Sequence, residues 1–115
     1  MKRDDTVYLQ HILDAIRKVE VYIQDLHETA FLQNDLVQDG VIRQIEIIGE
    51  AAKRLSSGLR KKHGRIPWQD IAGMRDKLVH DYFGVDIEKV WLTAIEDLPI
   101  LKDEVEKILL QRSAL

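Results

Sequence analysis

The chain has 115 residues, the size of one domain, and its 45% hydrophobic and 32% charged content supplies a buried core and excludes a disordered tail. Only 6 glycines and 2 prolines interrupt it, and β-branched residues stand in isolated positions, which argues against a sandwich or barrel and favours helices. The absence of cysteine excludes a disulfide framework, a thiolate zinc site and a cysteine nucleophile, and the net charge of -3 at first sight points to no partner.

At the start, Met1-Lys2-Arg3-Asp4-Asp5 turns acidic where a secretory leader needs an apolar stretch, and no run approaches the roughly 20 apolar residues of a membrane span. A cytoplasmic protein with no membrane contact is expected, with residues 1–115 forming a single helical domain. Over residues 6–26, Ile12, Ile16, Val19, Ile23 and Leu26 recur at spacings of 4, 3, 4 and 3, one face of a helix. Leu32, Asn34 and Asp35 mark a break. Val37, Val41, Ile45, Ile48, Ala52 and Leu55 then define a second helix, which ends near Ser56-Ser57-Gly58. Gly58 is positioned to close that helix in a left-handed conformation, with Lys53 and Arg54 at its carbonyl end.

Residues 51–69 contain no acid and carry Lys53, Arg54, Arg60, Lys61, Lys62 and Arg65, a local +6 that leaves 11 basic against 20 acidic residues elsewhere. On charge alone this is either a solvated helix end with its loop or a site for a polyanion. Residues 59–66 read as a connection, after which Pro67 suits the first turn of a third helix running from Pro67 or Trp68 to His80 or Tyr82. Its inward face would be Trp68, Ile71, Met74 or Ala72, and Leu78. Gly84 is a plausible stop and Asp86 the cap of the next element. From Ile87 the series Ile87, Trp91, Ala94, Leu98, Leu101, Val105 and Ile108 keeps helical spacing through Pro99, which implies either a kink or a fresh helix capped by Asp97. The expected fold class is therefore all-α, an antiparallel bundle of four to five helices.

Most catalytic signatures are missing: there is no phosphate-cradling glycine loop, no His-Glu-x-x-His and no calcium loop. The histidines at 11, 27, 63 and 80 lack metal-ligand spacing, and Asp76 with His80 at i, i+4 offers two ligands, too few for a site; no metal and no cofactor are expected. What remains is the string from Arg75 to Tyr82. At about 100° per residue, Asp76 and His80 lie about 40° apart and can touch, whereas Arg75 and His80 are about 140° apart and do not share a face. Tyr82 lies about 200° from His80 unless the helix loosens before Gly84. By spacing alone, the string reads as a polar helix end, with Arg75 ion-paired, His80 capping carbonyls and Tyr82 packed on the bundle.

Arg75-x4-His80-x-Tyr82 resembles the R-x4-H-x-Y motif of HepT-like toxins, small members of the HEPN superfamily of helical ribonucleases. The resemblance extends over nearly the whole chain, through Ile42-Arg43-Gln44-Ile45-Glu46-Ile47-Ile48-Gly49-Glu50-Ala51, Ile66-Pro67-Trp68, His80-Asp81-Tyr82-Phe83-Gly84-Val85-Asp86 and Asp97-Leu98-Pro99. One departure is Asp76, where similar proteins often carry Asn; a carboxylate there orients Arg75 and His80 or repels a phosphate. The resemblance implies a HEPN-like homodimer whose composite active site lies at the interface, cutting RNA without metal. In it His80 is general base or acid, Arg75 clamps the scissile phosphate, Asp76 orients, and the basic residues of 51–69 hold flanking phosphates. It also implies a type VII-like toxin–antitoxin pair, in which a nucleotidyltransferase of the MntA type silences the toxin by transferring AMP onto Tyr82. A non-catalytic RNA- or nucleotide-binding partner of a nucleotidyltransferase is the alternative, and a plain structural dimer a third reading.

Overall fold

The computed structural model describes residues 4–78 and 84–113, and helices account for almost all of them. Helix α1 is Asp5–Tyr22, α2 Glu28–Leu32, α3 Asp35–Arg54, α4 Ser57–Lys62, α5 Trp68–Ala72, α6 Met74–Leu78 and α7 Ile87–Leu92; a π turn over Thr93–Asp97 then leads into α8, Leu98–Ser113. The all-α expectation holds. The three long helices α1, α3 and α8 form the frame, and the short ones close its ends.

The core follows the periodicity. Ile12, Ile16 and Val19 of α1, Val41, Ile45, Ile48 and Ala52 of α3, and Leu98, Leu101, Val105 and Ile108 of α8 are buried in one cluster, together with Phe31, Trp68, Val90 and Trp91. Phe31, fully buried, sets its ring 5.1 Å from that of Trp91 and so ties α2 to α7. Among the described residues no helix is long and apolar enough to cross a membrane.

Several boundaries differ from the sequence reading, each for a local reason. Helix α1 stops at Tyr22 rather than near residue 26, because Asp25 takes φ 63°, a left-handed turn that aspartate tolerates better than most residues. Asn34, expected only as a break, caps α3: its side-chain oxygen accepts from the Val37 N–H at 3.0 Å. Gly58 does not close α3 in a left-handed turn. Leu55 does so in extended backbone (ψ 143°), and Ser56 caps α4 by accepting from the Leu59 N–H at 3.2 Å. Residues 57–62 of the expected connection are thus helical, anchored by buried Leu59. Pro67 stands just before α5 rather than inside its first turn.

The expected third helix is broken. Gly73 separates α5 from α6, and its carbonyl accepts the Asp76 N–H at 3.1 Å and the Lys77 N–H at 3.3 Å, so a new turn starts there. The remainder of that predicted helix, with His80 and Tyr82, lies outside the described residues. Gly84 has φ +106°, and Asp86 caps α7 by accepting from the Lys89 N–H at 3.2 Å. Before Pro99 the chain makes a π turn rather than a fresh helix start capped by Asp97: the Leu98 N–H reaches back five residues to the Thr93 carbonyl, and this turn passes the chain into α8 just before the proline that lacks a donor.

Candidate functional site

Arg75 reaches its position through a backbone contact rather than a side-chain one. A Cβ added at Gly49 of α3 would lie 3.1 Å from the Ala72 carbonyl oxygen and 3.5 Å from that of Ile71. Only glycine lets α5 settle this closely on α3. From there Gly73 turns the chain, Leu78 is buried, and Arg75 and Asp76 face out. The Asp86 N–H donates to the Leu78 carbonyl at 2.8 Å, so the end of α6 and the start of α7 are pinned together.

Arg75 and Asp76 open onto a cleft of about 1280 Å³, walled by α1, α3 and the α5–α6 turn. The Arg75 side chain is 49% exposed; its Nε lies 3.9 Å from Glu46 Oε1 and its Nη1 3.7 Å from Asp76 Oδ1. Both distances exceed a hydrogen bond, so the guanidinium is attracted by two carboxylates without being locked to either. Asp76 is 76% exposed, with its carboxylate beside the Arg75 guanidinium. Glu46 is shared, since Arg43 Nη1 approaches its other oxygen to 3.9 Å.

The six basic residues of 51–69 do not form one field. Lys53 and Arg54, at the carbonyl end of α3, line the cleft with Arg75. Arg60, Lys61 and Lys62 sit on α4 outside its lining, and the Nε of Arg60 is buried without a hydrogen-bond partner. Arg65 belongs to a second groove, where its Nη2 donates to Glu104 Oε2 at 3.2 Å. Lys53 donates to Glu50 at 3.3 Å, which leaves Arg54 as the cleft cation that makes no ion pair among the described residues.

The cleft also holds residues that the sequence did not single out as site residues. Tyr8 and His11 of α1 line it, with ring centroids 6.0 Å apart and planes at 88°. Asp5 is on its rim, with Oδ1 accepting the Ser56 N–H at 2.8 Å and Oδ2 accepting the Ser56 hydroxyl at 2.6 Å, so its carboxylate is already satisfied by the α3–α4 corner. The i, i+3 pairs Arg43–Glu46 and Glu50–Lys53 on α3 are local signs that this face is built as a charged wall. Nothing local in the sequence marks α1 as the opposite wall.

Comparison with known proteins finds sequence relatives over almost the whole chain. A protein of Thermococcus cleftensis named "Probable ribonuclease HepT" is 44% identical over 108 residues, covering 94% of this chain and 98% of its own length. A protein of Methanocaldococcus jannaschii carrying a provisional RNase name is 42% identical over 108 residues, covering 94% and 93% respectively. A longer protein of the same organism, named a gamma-glutamylcyclotransferase with a provisional RNase assignment, is 46% identical over 109 residues; the chain spans 95% of itself but about half, 49%, of that relative. No solved structure gives a significant match. The sequence profile described as Ribonuclease HepT-like matches residues 12–108, a span that begins in the first wall of the cleft and includes Arg75 and Asp76, and the chain accordingly belongs to that family.

Proposed function

We propose that the chain is a metal-independent RNA endonuclease of the cytoplasm, the toxin of a type VII-like toxin–antitoxin pair. The observation that carries this reading is the half-exposed Arg75 guanidinium opening onto a cleft that Arg43, Lys53 and Arg54 also line. Each phosphate of an RNA strand offers the oxygens that such a guanidinium binds in bidentate fashion.

In the proposed reaction a base takes the proton of the ribose 2′-OH, and the 2′-oxygen attacks the adjacent phosphorus. The O2′–P bond forms as the P–O5′ bond breaks, and an acid protonates the departing 5′-oxygen, giving a 2′,3′-cyclic phosphate and a 5′-hydroxyl. His80 is assigned as base or acid, and Arg75 stabilises the negative charge that grows on the phosphorane oxygens. Asp76 orients Arg75. A chain with one suitable histidine at the motif has one such group, so a homodimer, pairing two copies of the motif across a twofold axis, would complete the site. Lys53 and Arg54 hold the phosphates beside the scissile one, with Arg60, Lys61, Lys62 and Arg65 as outlying contacts. Tyr82 is the acceptor for AMP from an MntA-type nucleotidyltransferase, which would add negative charge and bulk where RNA phosphate binds.

The test is cleavage of end-labelled total RNA by purified protein in EDTA, comparing wild type with His80→Ala and Arg75→Ala. Cleavage by wild type alone, leaving cyclic phosphate ends, supports the reading; cleavage that survives His80→Ala refutes the role given to that residue. Mass analysis after co-expression with the cognate nucleotidyltransferase tests Tyr82, and an unmodified Tyr82 beside a neutralised toxin would sink that part. A non-catalytic RNA-binding partner is the second reading, favoured by the two carboxylates flanking Arg75. Binding of RNA by the wild type without cleavage would select it.

A further inference from the structure

We propose that Tyr8 and His11 form a nucleobase platform, seating one unstacked base of single-stranded RNA while Arg75 and Arg54 hold its backbone. This inference rests on the cleft being an RNA site, and it concerns which part of the RNA the cleft reads.

Three observations meet here. Both rings line the cleft that contains Arg75, yet they stand on α1, the wall opposite the α5–α6 turn. Their planes are perpendicular, at 88°, with centroids 6.0 Å apart, which makes an L-shaped corner: a base stacked on one ring meets the other edge-on, the geometry that aromatic quadrupoles favour. His11 is exposed, so that ring is not consumed by the core, and Tyr8 is half-buried, which fixes the corner in place.

The surroundings suit a polymer rather than a small molecule. The cleft, about 1280 Å³, exceeds the roughly 300–1,000 Å³ of ordinary small-ligand pockets. Asp5, the cleft carboxylate nearest in sequence to Tyr8, accepts from the N–H and the hydroxyl of Ser56 and is held at the α3–α4 corner by them. Arg54, by contrast, has no ion-pair partner among the described residues to give up. An aromatic corner beside such cations is the pattern by which proteins bind single-stranded RNA, with phosphates held electrostatically and bases by stacking. A duplex keeps its bases stacked on each other and cannot fill the corner, so single strands are preferred.

The experiment measures binding of a short single-stranded RNA to full-length His80→Ala protein, which removes the proposed cleavage, and to His80→Ala combined with Tyr8→Ala, Tyr8→Phe or His11→Ala. Tyr8→Ala should weaken binding about 5- to 150-fold, the range for losing one stacked base, while Tyr8→Phe keeps the affinity within about twofold. His11→Ala, at an exposed position with no core role, should weaken it at least about threefold. The same RNA with one abasic position at the seated base should bind less tightly to the parent, and Tyr8→Ala should then cost nothing further. That last arm separates stacking from mere loss of structure. Equal affinity of all variants for intact RNA would overturn the platform while leaving the RNA site standing. Failure of the parent to bind any RNA would overturn the site itself, and the platform with it.

Discussion

Replacing Gly49 by alanine tests how Arg75 is positioned while leaving every charged group of the cleft in place. The new methyl would lie 3.1 Å from the Ala72 carbonyl oxygen, a few tenths of an ångström inside ordinary contact. That oxygen is backbone and cannot swing aside like a side-chain tip, so α5 as a whole has to retreat from α3. Such overpacking costs about 1–3 kcal/mol. Against it stands a helix-propensity gain of about 0.5–1 kcal/mol for alanine over glycine inside α3. The balance is a loss of about 1 kcal/mol, or roughly 3–6 °C in melting temperature for a domain of this size. Gly58→Ala is the control: the nearest heavy atom to its methyl is Ser56 Oγ at 3.9 Å, so nothing opposes a gain of up to about 0.5 kcal/mol. Urea unfolding at matched protein concentration should therefore give shifts of opposite sign for the same chemical change. If Gly49→Ala stabilises as much as Gly58→Ala, α5 is free to slide on α3 and the argument that Gly49 sets the place of Arg75 is wrong.

Phe31→Ala removes a fully buried ring packed at a tilt against Trp91 and should cost about 3–5 kcal/mol in urea unfolding; a loss under 1 kcal/mol would mean that α2 is not part of the cooperative core. The Thr6 N–H donating at 2.8 Å, then the Thr6 hydroxyl and Arg112, hold the Asp4 carboxyl below the usual carboxylate range. A depressed folded-state value stabilises above the ordinary pKa and is lost as pH falls through the depressed one. Any stability gap between wild type and Asp4→Asn at pH 7 should thus shrink below about pH 4, and a gap unchanged at pH 2.5 would contradict it. For RNA binding, Arg54→Ala should reduce the salt dependence by about 0.7 in the log–log slope, the share of one single-strand phosphate. Lys53→Ala should reduce it less, because its loss also frees Glu50, and equal slopes would show that the Lys53–Glu50 pair does not matter.

Periodicity made the long helices legible because burial on one face is a local pattern: Ile12, Ile16 and Val19, then Val41, Ile45, Ile48 and Ala52, are buried as their spacing implies. Short elements escaped it. Helix α2 carries a single buried residue, Phe31, and α4 a single one, Leu59, and one apolar side chain has no period. The break at Gly73 escaped for the opposite reason, since Trp68, Ile71 and Leu78 are buried on both sides of it and the apolar face runs on undisturbed. Pro99 announced an irregularity without its form, because a π turn and a kink leave the same spacing of buried residues at Ala94 and Leu98. In the cleft, Arg75 came from the motif and Asp76 from its place beside it, but Tyr8 and His11 lie more than sixty residues earlier, Tyr8 one turn before Ile12 on the apolar face of α1 and His11 among its exposed residues. The run of six cations misled in a similar way. Chain turns at Leu55 and around Pro67 send Lys53 and Arg54 to one cleft and Arg65 to another groove, so neighbours in sequence do not share a field.

The charge of the cleft bears on how it would select RNA. Arg43, Lys53, Arg54 and Arg75 face the carboxylates of Asp5, Glu46, Glu50 and Asp76, so unspecific attraction for a polyanion is small beside that of a purely basic groove. The contacts around Arg75, at 3.7 and 3.9 Å and exposed, belong to the class of ion pairs worth about 0–1 kcal/mol. A phosphate offering two charge-assisted hydrogen bonds replaces them at little cost. On the proposed reading Glu46 and Asp76 would therefore not block Arg75; they would yield to a well-placed phosphate and repel one that is poorly placed. With long-range attraction largely cancelled, affinity on this reading would depend on contacts made only when a strand is seated, the proposed Arg75 clamp and the proposed stacking corner of Tyr8 and His11. Neutralising Glu46 should then raise binding of any polyanion, heparin included, more than that of single-stranded RNA, narrowing the preference for RNA.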